Sequence, residues 1–462
     1  MKEELSNLAE AGADFVKELD SEVLLFSHYD CDGISSAVIA QEMLEREGVP
    51  FKQVFLDELT EEKLKEVIEG NEQDKVVFTD IGSGQVEAIR EVLPERDVLV
   101  MDHHEVEEED YLDAHVNPHL VDIDGGEKIS GAGITYLVAE HLDDENYDLL
   151  PYALIGATGD RQRDDEDYLG HNEELVDKAR EKGHIKVKKG LKLFGRKGKK
   201  IVKALEYTTD PFLKGITNNE SGAVQLLRST GIDLKDKNGE WRSLADLSFE
   251  EEKKIVHELI TRGYGDIEKI IGDVYILDNG WEIREFSSVL NACGRLEEPE
   301  SGVEICRNGN LERAFRMKKR YSRKIGKYLS YLEENLSNPE VVRDLEFGTA
   351  ITAGDKIHAN MIGTVASIAK GNNMVEGPVI IGLAEKEENH LKISGRVDSE
   401  LVEEGFKMNS FLEEACDKHG GKGGGHKSAA GGKIPKNEQE RFIKFIERSL
   451  KETVTRLKDG KQ

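Results

Sequence analysis

Over residues 22–104, short apolar runs rich in β-branched residues alternate with stretches whose apolar positions recur every three to four residues. EVLLFSH precedes helical periodicity at 34–46, FKQVFL precedes 61–69, KVVFTD precedes 85–92, and DVLVMDH closes the series. This rhythm predicts βα units on a parallel sheet. The strands read as nearly continuous apolar runs, as expected when helices cover both faces. Helical patterns at 133–141 and 151–158 complete a first domain spanning 1–185, and the opening MKEELSNLAEAGADF predicts an acidic amphipathic helix.

The sheet rhythm stops at 186–272, where basic loops and amphipathic helices are expected, one of them opened by Ser248 with Glu251 three residues on. This reads as a helical, partly basic insertion or linking region. In the 273–340 segment a long charged helix over 310–336 is stopped by Ser337, Asn338 and Pro339. Residues 341–462 return to strands (GTAITAG, GPVIIGLA, HLKISGRV) and helices (359–369, 437–457) around a glycine-rich loop, HGGKGGGHKSAAGG. The expected fold is α/β: an N-terminal parallel-sheet domain and a smaller C-terminal α/β domain joined by the long helix, with a helical insertion between.

A chain of 462 residues is long enough for two or three such units at about 150 residues per domain. It has no apolar run approaching the roughly 18 residues of a membrane span and no secretory signal pattern, so a cytoplasmic location with no membrane partner is expected. Cys31, Cys293, Cys306 and Cys416 show no CxxC spacing, which argues against a zinc ribbon or a disulfide scaffold. The net charge of -30 opposes general affinity for nucleic acid, which rests on Lys and Arg neutralising phosphates. Any such affinity must be local, and two basic runs offer it: Lys186 to Lys203 and Arg316 to Lys327.

Acids and histidines cluster where the expected strands end: His28, Asp30 and Asp32 after the first, Asp80 after KVVFT, and Asp102, His103 and His104 after VLVM. In a parallel sheet that edge binds ligands. Carboxylates and imidazoles converging there suit divalent cations, and a shared carboxylate could hold two ions about 3.5–4 Å apart.

The ordered motifs His28-Tyr29-Asp30-Cys31-Asp32-Gly33, Thr79-Asp80, Asp102-His103-His104 and Gly159-Asp160 resemble those of the DHH phosphoesterase superfamily. The resemblance implies that His28, Asp30 and Asp80 hold one metal and Asp32, Asp80, His103 and Asp160 the other, with Mn2+ preferred and Mg2+ possible. It also implies catalytic roles for Asp102, orienting a histidine, and for His104, facing the substrate phosphate. The small residues Gly131 and Gly133 open a helix whose N–H groups could receive a phosphate. Gly424, Gly425 and His426 in GGGHKSAAG resemble the signature of the DHH-associated domain, as do Ser394 and Arg396 in KISGR and the Met361–Ser367 helix before them.

Asn291-Ala292-Cys293-Gly294-Arg295 resembles a segment of archaeal RecJ proteins, with Cys293 in place of an alanine, and implies that Arg295 contacts the phosphate backbone. The function implied is a single-strand-specific exonuclease of DNA, with RNA as a further substrate, acting 5′-to-3′ in replication or repair. Rival readings are an oligoribonucleotide or cyclic-dinucleotide phosphodiesterase and a non-catalytic replisome component, since archaeal RecJ-like proteins associate with the GINS complex.

Overall fold

The computed structural model of the chain describes residues 2–106, 112, 114–163, 167–193, 195–208, 213, 215–217, 219–264, 270–386 and 389–459. The chain divides into two compact units, Met1–Lys318 and Lys319–Gln462. The insertion expected at 186–272 belongs to the first of them.

The first unit is built on a five-stranded parallel sheet in the order β2-β1-β3-β4-β5. Its strands are β1 (Val23–His28), β2 (Phe51–Leu56), β3 (Lys75–Thr79), β4 (Asp97–Met101) and β5 (Ala114–Val116). Helices α1 (Lys2–Lys17), α2 (Cys31–Arg46), α3 (Glu61–Glu69), α4 (Val86–Val92), α5 (Gly131–Leu142), α6 (Leu150–Gly159) and α7 (His171–Glu181) complete it. The continuous apolar strands have the cause expected of them. Val23, Leu25, Val77 and Leu99 join one core with α1, α2, α5 and α6. Leu24, Phe26, Val76 and Phe78 join another beneath α3 and α4. From β1 the chain steps outward to β2, then crosses back to β3 on the other side. That reversal opens a crevice beyond the C-terminal ends of β1 and β3, where ligands of such sheets bind.

The insertion differs from its sequence pattern. It hangs from an antiparallel ribbon of β6 (Ile185–Leu191) and β7 (Ile271–Leu277), which the Lys-rich sequence at 186–189 disguised as loop. Beyond the ribbon, α8 (Ile201–Glu206), α9 (Glu220–Thr230) and α10 (Phe249–Thr261) enclose their own apolar core around Leu205, Leu226, Leu244, Ile255 and Leu259. Ser248 and Glu251 form the expected reciprocal cap of α10.

Three helices follow: α11 (Ile283–Arg295), α12 (Pro299–Asn308) and α13 (Leu311–Glu334). The second unit holds a six-stranded mixed sheet in the order β12-β13-β11-β10-β9-β8. Its strands are β8 (Val342–Leu345), β9 (Gly348–Thr352), β10 (Val379–Lys386), β11 (His390–Val397), β12 (Lys422–Gly425) and β13 (Ala429–Pro435). The glycine-rich segment expected as a loop is therefore mostly a hairpin, paired to β11 through β13. Helix α14 (Ala359–Gly371) packs on β10 and β11. All four cysteines are buried and free. Among the described residues no helix is long and apolar enough to cross a membrane.

Candidate metal centre

The C-terminal ends of β1, β3 and β4 bring the acids and histidines together. Asp30 caps α2 by accepting the Gly33 N–H at 3.2 Å, and an added Cβ at Gly33 would stand 2.0 Å from the His28 carbonyl oxygen. Glycine thus lets the His28–Asp32 turn fold back on itself. Asp80 sits in the left-handed region at φ 57, which aspartate tolerates better than most residues, and so leaves the line of β3 to face its neighbours.

Two groups of ligand atoms share Asp80. In one, His28 Nδ1 lies 3.2 Å from Asp30 Oδ1 and 3.5 Å from Asp80 Oδ2. In the other, His103 Nε2 lies 3.3 Å from Asp80 Oδ1, 3.2 Å from Asp160 Oδ2 and 3.7 Å from Asp32 Oδ2. Ligand atoms within each group lie within 4.8 Å of one another, as do those of Asp80, Asp102, His103 and His104.

The residues fit divalent cations. Asp32, Asp80 and His103 are almost wholly buried, yet Asp80 Oδ1 and His103 Nε2 have no hydrogen-bond partner. His103 Nδ1 lies 2.7 Å from the Gly125 carbonyl. A proton there leaves the Nε2 lone pair pointing at carboxylate oxygens, an arrangement that calls for a cation between them. Electrostatics agree: burial, then Asp80 and Asp160, push the Asp32 carboxyl well above the usual range, and burial raises Asp160. Burial opposes charge on His103, but Asp160 and Asp80 outweigh it and raise that ring well above its ordinary value. Packed acids that resist ionisation together are relieved by a bound cation.

Asp102 is turned elsewhere. It accepts the Ser83 and His103 N–H groups at 2.9 and 2.8 Å and lies 2.8 Å from His104 Nδ1. Despite burial, His104 and these donors hold its carboxyl far below the usual range. Burial works against charge on His104, but Asp102 overcomes it and raises the ring. With its side chain 46% exposed, His104 is oriented from behind and open in front.

The expected phosphate role of Gly131 and Gly133 needs correction. Gly131 and Ala132 N–H groups donate to the two oxygens of Asp32 at 2.7 and 3.0 Å, and Gly133 N–H goes to Ser130 Oγ at 3.2 Å. This helix N-terminus is already occupied by the carboxyl group of Asp32. Gly131 has a steric task as well: a Cβ there would come within 2.6 Å of Asp80 Oδ1.

Arg295 ends α11, and a Cβ on its neighbour Gly294 would stand 2.1 Å from the Tyr29 carbonyl oxygen. The NACGR segment therefore abuts the His28–Asp32 turn. In the second unit, Ser394 pairs with Gly431 and Gly431 with Gly424, aligning three strands, while Arg396 follows two residues along β11. Gly363 of α14 lies so close that a Cβ would meet Arg396 Nη2 at 2.7 Å and Ser394 Oγ at 3.0 Å. His426 N–H closes the hairpin onto Ala429 O at 2.8 Å, beside the exposed Gly424 and Gly425.

Several supporting residues went unread in the sequence. Asn117 donates to Ser83 Oγ at 2.8 Å and to the His104 carbonyl at 2.9 Å. Gln162 donates to Gly125 O at 2.7 Å, beside His103. Gly156 lets α6 approach α2, since a Cβ would fall 2.1 Å from Asp32 Oδ1. The visible signal was the small-residue run GATGD ahead of Asp160.

Three family models match the chain: the DHH family N-terminal domain over residues 22–159, the DHH-CID domain over 193–267 and the DHHA1 domain over 346–452. An uncharacterized protein of Methanocaldococcus jannaschii is 28% identical over 445 residues, covering 94% of each chain. RecJ of Thermus thermophilus, crystallised with Mn2+, is similar in fold at TM-score 0.58 and 17% identity over 96% of this chain. This chain spans only 54% of that protein. CDC45 of Entamoeba histolytica is similar at TM-score 0.61 and 15% identity, over 97% of this chain and 98% of that one.

Proposed function

Since the chain belongs to the DHH superfamily and carries a RecJ-like fold, which supports a metal-dependent phosphoesterase or nuclease, we propose that it is a single-strand-specific exonuclease. Its substrate on this reading is single-stranded DNA, with RNA as a further substrate, cut 5′-to-3′ in replication or repair. The observation that carries the reading is the buried cluster in which Asp80 serves two ligand groups.

In this proposal residues 1–185 are the catalytic domain, 186–272 the insertion, 273–340 the NACGR segment with its helix, and 341–462 the substrate-binding domain. His28, Asp30 and Asp80 hold one cation, and Asp32, Asp80, His103 and Asp160 hold a second, Mn2+ in preference to Mg2+. Bound there, the cations supply Lewis acidity toward phosphate oxygens and lower the pKa of water. The chain's own groups do the rest. Gly125 and Gln162 fix His103, Gly131 and Ala132 fix Asp32, and Asp102 favours the charged form of His104 and aims it outward at the scissile phosphate. Arg295 offers a forked donor to the strand's backbone near the Tyr29 turn, and Ser394, Arg396, Gly424, Gly425 and His426 bind substrate on the second unit.

A time course with 5′-labelled and 3′-labelled DNA and RNA strands, in Mn2+ and in Mg2+, tests activity, metal and direction together. Release of mononucleotides from the 5′ end by the wild type, and not by an Asp80→Ala, Asp102→Ala variant, is expected. Cleavage confined to strands of a few nucleotides would replace this reading with an oligonucleotide phosphodiesterase. The fold-level likeness to CDC45 is compatible with the alternative role of a replisome component docked to a GINS-type complex, and the two roles can coexist.

A further inference from the structure

Few large apolar side chains are exposed among the described residues, and two of them, Tyr207 at 51% and Trp241 at 46%, lie on the 193–267 module. Tyr207 follows α8. Trp241 lies on an irregular hairpin, paired across to Lys235, while Ser243, two residues on, bridges to Lys200 at the head of α8. Each ring is faced by two lysines. Lys199 and Lys203 place Nζ 4.7 and 5.5 Å from the Tyr207 centroid, and Lys200 and Lys235 stand 4.8 and 5.1 Å from that of Trp241.

The hairpin is held rigidly. Arg242, next to Trp241, makes paired 2.8 Å bonds to both oxygens of Glu251, and its carbonyl accepts the Ile201 N–H at 2.9 Å. Exposing two aromatic rings on a preorganised surface forgoes burial that their area would otherwise reward. Lys199 is half-buried and Lys203 also pairs with Glu206 and Glu220, whereas Lys200 and Lys235 are exposed, and their ammonium–ring contacts, weak at such sites, can give way to a base on the ring and a phosphate on the ammonium. This is the chemistry that binds single strands without reading sequence.

We propose that Tyr207 and Trp241, with Lys199, Lys200, Lys203 and Lys235, form a second single-stranded nucleic-acid site, a stacking platform separate from the metal centre. The proposal rests on the nucleic-acid reading given above. The buried carboxylate of Glu285 ties the platform to α11. Glu285 of α11 accepts the Lys197 and Gly198 N–H groups at 2.8 and 2.7 Å, immediately before Lys199, and takes Lys318 Nζ at 2.9 Å. Nine residues further along α11, or about 14 Å at the helical rise, Gly294 touches the Tyr29 turn. A strand engaged at the metals and continuing along α11 would meet the platform, so it serves to retain long strands and contributes nothing to very short ones.

The tryptophan content makes this measurable. The chain has two tryptophans, and Trp281 is fully buried, so quenching by a stacked base reports Trp241. The full-length protein, kept in EDTA, is titrated with oligodeoxythymidylate about 30 nucleotides long. Quenching is expected in the wild type. The Tyr207→Ala, Trp241→Ala variant should bind the oligomer roughly tenfold or more weakly, with an unchanged melting temperature and, in Mn2+, unchanged hydrolysis of a very short thymidylate. Trp241→Phe should keep the affinity and lose the quenching. Unquenched emission, or equal affinity in the double variant, overturns the platform and would leave this surface to a protein partner. Quenching without hydrolysis of any strand keeps the platform and overturns the exonuclease.

Discussion

At the residue scale the decisive feature is one carboxylate in two ligand groups. Asp80 Oδ1 faces His103 and Oδ2 faces His28. Removing His28 therefore costs one group, whereas altering Asp80 damages both. Titrating Mn2+ calorimetrically should show two equivalents on the wild type, one on His28→Ala and none of comparable affinity on Asp80→Asn. Two equivalents on Asp80→Asn would refute the shared-ligand arrangement. Gln162 stands behind His103, its Nε2 3.2 Å from His103 Nδ1 and 2.7 Å from Gly125 O, and such outer partners typically matter by about 10–100-fold in metal affinity or activity. Gln162→Ala should fall in that range in Mn2+ affinity. The candidate ligands were legible because acids and histidines rarely end three apolar strands of one sheet. Gln162, Asn117 and Ser83 were not, because a polar residue in a loop has many uses and its partner is fixed only by folding.

Between elements, glycine governs how closely helices approach the site. Gly156 on α6 faces Asp32 at the start of α2, and its Cβ, if present, would lie 2.1 Å from a carboxylate oxygen. Gly156→Ala must push α6 away or turn Asp32 off the Gly131 and Ala132 N–H groups. Overpacking of this kind costs about 1–3 kcal/mol. A lower melting temperature together with weaker Mn2+ binding is expected, and full retention of both would show that α6 moves freely. On the insertion, Arg242 and the α10 cap hold Glu251 at a pKa of about 2. That is below its unfolded value, so this carboxylate's stabilisation is fully present above about pH 4.5 and is lost as pH falls toward 2. Glu251→Gln should unfold earlier at neutral pH and show a shallower loss of stability across that acid window. Three of the strands that sequence missed share a cause. In β6 lysines replace the apolar alternation, and in β12 and β13 glycines leave no alternation to read, so pairing alone makes them strands.

For the whole molecule, charge acts in two opposite directions. Net charge of -30 sets the folded chain against itself, and added salt screens that repulsion over about 10 Å at 0.1 M. Nucleic-acid binding depends instead on local lysines and arginines releasing counterions from phosphates, a contribution that salt weakens. Raising KCl should therefore raise the melting temperature of the free protein while lowering its affinity for a single strand in EDTA. A melting temperature that falls with KCl would mean that ion pairs such as Arg242–Glu251 outweigh the self-repulsion. Loss of the salt dependence of binding on replacing Lys199, Lys200 and Lys235 by Gln would place the phosphate contacts on the insertion. Retention of the full dependence would place them on Arg295 and the second unit. Sequence alone supplied the sum of charges, whereas their segregation depends on the fold, which gathers lysines around two exposed rings and buries acids around Asp80.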